Sequence, residues 1–98
     1  FYKLNNNIKY DIVLSLDVIY HLVDDFVYEK YIHDLITYAN KYIIIYSSNF
    51  DEIYNNSHVY HRKFTDYIKD NYPTLKLIYF EPNKYPTLSS ANFYVYSI

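Results

Sequence analysis

No glycine occurs anywhere in the 98 residues of this chain. Glycine usually makes up about 7% of a protein. It is used where the backbone must turn with positive φ or come close to a ligand. A complete nucleotide-binding α/β domain needs such positions in the loop after its first strand. These residues therefore belong either to another kind of domain or to the part of such a domain that holds no glycine-rich loop.

The length fits one small domain. Apolar residues are 51% of the chain and aromatic ones 22%, enough for a core and against disorder. Nine Lys and Arg stand against eleven Asp and Glu, a net charge of −2. That balance leaves no electrostatic footprint for nucleic acid or an anionic membrane. Cysteine is absent, which excludes disulfides and thiolate metal sites. No apolar run approaches the roughly 18 residues that span a bilayer, and no secretory leader is visible. A cytoplasmic setting is the expectation. The sixteen tyrosines accompany many Asn, Ile and Lys, all with AT-rich codons. Base composition accounts for them without invoking a binding surface.

Hydrophobic patterning gives the order of elements. Residues 1–9 read as an Asn-rich connector, and residues 10–98 as one domain. Tyr10 to Leu16 is a short run rich in branched residues, as in a parallel strand buried on both faces. Asp24 or Asp25 can cap a helix. Val27, Tyr31, Leu35 and Ala39 then recur at helical spacing, flanked by Tyr28, Ile32 and Ile36. Asn40 suits a left-handed helix terminator. Lys41 to Ser47 is a second buried strand, followed by a polar loop to His58. Tyr60, Phe64, Ile68 and Tyr72 form a second helical stripe that Pro73 ends. Leu75 to Phe80 and Phe93 to Ile98 are the last two strands. With no helix between them, the final strand is expected to be antiparallel. The whole is an α/β sheet with two helices.

Several segments resemble Rossmann-like S-adenosylmethionine-dependent methyltransferases. YDIVLSLDVIYHLVDD (residues 10–25) is similar to the fourth strand of that family and the loop after it. Asp17-Val18-Ile19-Tyr20-His21-Leu22 matches the pattern D-V-[IL]-x-H-L. YIIIYSSN (42–49) resembles the fifth strand and its exit. HVYHRKFTDYI (58–68) resembles the approach to the next helix. PTLKLIYFEPNKYP (73–86) and SSANFYVYSI (89–98) resemble the closing antiparallel pair. The resemblance covers about 90 residues. It implies an incomplete sheet, strands 4-5-7-6 of a seven-stranded order 3-2-1-4-5-7-6. The family's glycine-rich loop and its ribose-binding acidic residue lie outside such a C-terminal half, in keeping with the absence of glycine.

The carboxyl ends of parallel strands border the ligand crevice. The resemblance accordingly implies that Ser15, Leu16, Asp17 and Val18 line the methionine part of the cofactor. Asp17 could accept a hydrogen bond from the cofactor ammonium or the methyl acceptor. Alternatively, it is a loop carboxylate that caps backbone groups. His21 suits a general base, its ordinary pKa being near neutral, or a histidine that orients the loop. Tyr20 could wall the acceptor pocket. Ser47, Ser48 and Asn49 follow the second strand and suit a polar acceptor, or plain turn chemistry. His58, His61 and Arg62 form the only basic cluster and could hold an anionic acceptor, or be a solvated helix start. The His58/His61 pair lacks a third ligand, so no metal is expected.

The first strand, central in a full sheet, becomes an edge in a half. It is expected to pair with a separate N-terminal half or with a second copy of the chain. The alternative function is a relict or interaction module that uses this edge to bind a partner by strand addition. A third reading is an unrelated small α/β protein, which predicts a stable monomer.

Overall fold

The structure is a computed structural model that describes residues 8–53, 59–85 and 89–98 (of Ile53, the backbone alone). Strand β1 (Tyr10–Leu16) leads through a 3-10 turn at Ile19–His21 into helix α1 (Asp25–Tyr38). Asp24 caps this helix by accepting a hydrogen bond from Val27 N at 3.1 Å. Asp25 sits in its first turn, where negative charge suits the helix dipole. The chain passes from Tyr38 directly into strand β2 (Ala39–Ser47). Two-residue strands β3 (Glu52–Ile53) and β4 (Tyr60–His61) pair antiparallel as a sheet of their own. Helix α2 (Phe64–Asn71) follows, and then β5 (Lys76–Glu81) and β6 (Asn92–Ser97).

The main sheet has the order β1-β2-β6-β5. β1 and β2 are parallel, while β6 lies antiparallel to both neighbours. This is the mixed α/β sheet with an antiparallel last strand that the patterning predicts, and β1 is its outer strand. Among the described residues the core lies on one face of the sheet. Val13, Ile43, Ile45, Tyr94 and Tyr96 are buried there under Ile32 and Leu35 of α1 and Phe64 and Ile68 of α2. No helix among the described residues is long and apolar enough to cross a membrane.

Four expectations need correction. β1 is not buried on both faces: Val13 and Ser15 are covered, but Ile12, Leu14 and Leu16 are each about half exposed, because both helices pack on the same side. The buried stripe of α1 runs through Tyr28, Ile32, Leu35 and Tyr38. Leu35 of the predicted stripe and its neighbours Tyr28 and Ile32 are thus buried, but Val27 is exposed and Tyr38, not predicted, takes part. Asn40 does not end the helix in the left-handed region. It lies in β2 and donates to the Asp11 carboxylate at 3.1 Å. The second stripe begins at Phe64, not Tyr60, because Tyr60 is held in β4 within the stretch read as loop and helix.

Candidate functional site

The parallel pairing of β1 with β2 brings the loops after both strands together. Leu16 pairs with Tyr46, and the ladder runs one bond further, from Asp17 N to Tyr46 O at 2.9 Å. Asp17 then turns the chain. Its φ of 58° is the only positive one among the described residues. Asp tolerates this conformation better than most residues with a side chain, so it does here the work that glycine usually does.

Tyr20 joins the two loops. Its hydroxyl donates to Asp17 Oδ1 at 2.8 Å. Its ring lies 4.5 Å from that of His21 and stacks on His61 at 5.7 Å. Burial, then the hydrogen bond to Asp17, pushes the Tyr20 phenol up to about 12. The phenol therefore stays a donor at neutral pH and fixes one Asp17 oxygen. The Asp17 and His21 side chains remain exposed, whereas Val18 and Tyr20 are partly buried.

Most of the other expected residues are held by partners inside the fold. Ser15 is buried under α1 and accepts from the Tyr31 hydroxyl at 2.9 Å. Leu16 points to the uncovered face and is half exposed. Ser47 is fully buried, and its Oγ has no hydrogen-bond partner among the described residues. Ser48 Oγ and His61 Nδ1 share a buried hydrogen bond of 2.6 Å, and Phe50 stacks on the same imidazole at 4.5 Å. Asn49 accepts from Thr65 N at 3.2 Å. Asp51 accepts from Lys63 N at 2.9 Å, so the two side chains together tie down the start of α2.

Arg62 is buried between two rings, 4.2 Å above Tyr28 and 3.8 Å above Tyr60. Its guanidinium donates to the Leu22 carbonyl, to Val23 O at 3.0 Å and to Asp25 Oδ1 at 2.8 Å. It clamps the loop before α1 to the strand before α2, which commits its donors inside the fold. His58 lies outside the described residues. Among those described, no three His, Asp or Glu side chains converge to hold a metal ion.

No family model, curated protein or solved structure matches this chain.

The arrangement thus divides the expected site into two parts. Asp17, Tyr20 and His21 present an oriented carboxylate and an imidazole to solvent at the carboxyl end of β1. Ser48, Asn49, His61 and Arg62 build the neighbouring wall. Tyr31, Phe50, Asp25 and Thr65 complete that wall and were not singled out by sequence. Their partners lie 11 to 37 residues away in the chain, and no spacing rule reaches so far. A groove of about 580 Å³ lies elsewhere, between α2 and the β5–β6 pair, over Ile68, Leu75, Leu77 and Tyr96. None of the candidate site residues expected from the sequence lines it.

The wall should respond to acid. Burial lowers the His61 pKa below its ordinary 6.5, with Glu52 opposing. The unfolded chain therefore takes up a proton there before the folded one does. The stabilisation is present above the unfolded value and is lost as pH falls through the lowered folded value. The thermal midpoint is expected to drop between pH 7 and pH 5, and by less in a His61→Phe variant. Equal drops in the two proteins would remove His61 as the cause.

Proposed function

We propose that this chain is the acceptor-side half of an S-adenosylmethionine-dependent methyltransferase. The observation that carries the reading is the strand order. β1-β2-β6-β5, with an antiparallel strand between β2 and β5, is the arrangement implied for strands 4-5-7-6 of that family. The loop after β1 adds to it. Asp17 stands where a ligand crevice opens in such sheets, with one oxygen fixed by Tyr20 and the other open to a cation.

These residues fit the charged end of the cofactor. An exposed carboxylate suits its ammonium, while nothing among the described residues cradles a ribose. The cofactor supplies an electrophilic methyl group on a sulfonium, and transfer needs donor and acceptor aligned. Asp17 binds, Tyr20 orients Asp17, and His21 removes the acceptor's proton where the acceptor carries one. The glycine-bearing half comes from outside these 98 residues and adds its strand along the free edge of β1. The free β1 edge also favours the second reading, an interaction module that captures a partner strand there.

Titration of the isotope-labelled chain with S-adenosylhomocysteine, followed by amide chemical shifts, separates the possibilities. Weak binding in the millimolar range is expected, with shifts confined to Asp17–His21. It should weaken further in Asp17→Asn, which keeps the tolerance for positive φ but removes the charge. No movement in that loop would leave the interaction module. Tight one-to-one binding would place a complete cofactor site within this chain and end the half-domain reading.

A further inference from the structure

We infer that the uncovered face of the main sheet is a homodimer interface, on which a second copy of this chain stacks sheet against sheet. The inference goes beyond the methyltransferase reading and does not depend on it. The face is set by register. Opposite the helix-covered side chains stand Leu14 and Leu16 of β1, Tyr42 and Ile44 of β2, Phe93 of β6 and Tyr79 of β5. Ile44 is partly buried, and the other five are between about two-fifths and one-half exposed. So large a continuous apolar surface is uncommon on a monomer.

Three features point to a second copy as the occupant. The first is shape. Four strands at about 4.8 Å spacing make a face about 14 Å across, wider than the roughly 10 Å of one helix. Another sheet covers it fully at about 10 Å separation, as in aligned sheet packings. The second is area. The open parts of these side chains and their neighbours on the face amount to roughly 600 Å² per copy. Two copies together then reach the roughly 1,200 Å² at which specific interfaces begin.

The third is charge. The interior of the face carries no charged side chain among the described residues. Lys76 and Glu81 stand at opposite ends of its β5 margin, paired in register with Ser97 and Phe93. A twofold axis crossing the strands at mid-height lays β5 over β5 in the opposite direction. It brings Lys76 of each copy toward Glu81 of the other, the reciprocity that an isologous interface requires. The helices remain outside on both copies.

Sedimentation equilibrium from low to high micromolar concentration tests this. The expected result is a closed species of about twice the 12.0 kDa chain mass. Ile44→Lys and Leu14→Lys should each weaken it by roughly 100-fold, because each buries an unpaired ammonium at the contact. Leu14 is on the outer strand β1 and half exposed, where the monomer solvates the new charge, so its variant stays folded by circular dichroism. Phe26→Lys, on exposed α1 surface, should leave the dimer intact. A wild-type monomer throughout would overturn the inference and leave the face to helices of a completing half. A dimer indifferent to both face substitutions, or an open series of larger species, would overturn it as well. None of these outcomes bears on the response to S-adenosylhomocysteine.

Discussion

Replacing Arg62 with alanine is expected to destabilise the fold by about 3 kcal/mol, from lost charge-assisted hydrogen bonds and ring contacts. For a domain of this size that is a fall of roughly 12 to 24 °C in the thermal midpoint. The guanidinium is nearly buried, lies between Tyr28 and Tyr60, and satisfies two carbonyls as well as Asp25. Losing it leaves the Leu22 and Val23 carbonyls short of a donor and opens a slot between two rings. Arg62→Lys should recover less than half of the loss, since an ammonium cannot fork to three acceptors and stack on both faces. Asp25→Ala should cost less than about 1 kcal/mol, because that carboxylate is 71% exposed and screened. Thermal melts of the three variants decide the matter. A midpoint within a few degrees of wild type for Arg62→Ala would reduce the clamp to a surface decoration.

Phe64→Ala is expected to cost about 4 kcal/mol. Phe64 is fully buried and meets Tyr94 edge to face, with ring centres 4.9 Å apart and an interplanar angle of 86°. It is the contact by which α2 is fastened to β6, so the cavity opens at the joint between helix and sheet. A domain with total stability near the lower end of the usual range, about 5 kcal/mol, would then be partly unfolded at physiological temperature. Phe64→Leu keeps most of the volume and should cost less than about 1.5 kcal/mol. Urea unfolding of both variants checks the pair. Similar midpoints for Ala and Leu would mean that α2 relaxes into the gap and that this joint is loose.

The order of elements was legible because its signals are local. IIIY in β2 and FYVY in β6 are continuous apolar runs, Asp24 precedes a helical pattern, and Pro73 follows one. The face of α1 was harder to read. Val27 and Tyr28 are adjacent and both apolar, so the stripe can be drawn through either. Only the position of β1 and β2 beneath the helix selects Tyr28. The β3–β4 pair is two residues long on each side, too short to show a period. The burial of β1 on one face rather than two depends on where both helices land, which is a property of the whole assembly.

The candidate site divides along the same line. Asp17, Tyr20 and His21 lie within five residues and were found together. The tethers of Ser48 to His61 and of Arg62 to the Leu22 carbonyl connect distant segments. They turn apparent ligand-binding groups into parts of the scaffold. Asp17 carries a further lesson. In a chain without glycine, the one described residue with positive φ is the aspartate singled out for chemistry. Its conformation and its charge therefore have to be separated in any substitution.

The passage from Tyr38 in the helix to Ala39 in the strand, with no residue between them, makes α1 and β2 a single gear. An extra residue at that point must either rotate the helix by about 100° or turn β2 over, so that its buried isoleucines face outward. Neither half can absorb the change alone. Relatives of this chain should therefore vary in length in the connections after β2 and between β5 and β6, and keep a fixed count from Asp24 to Ser47.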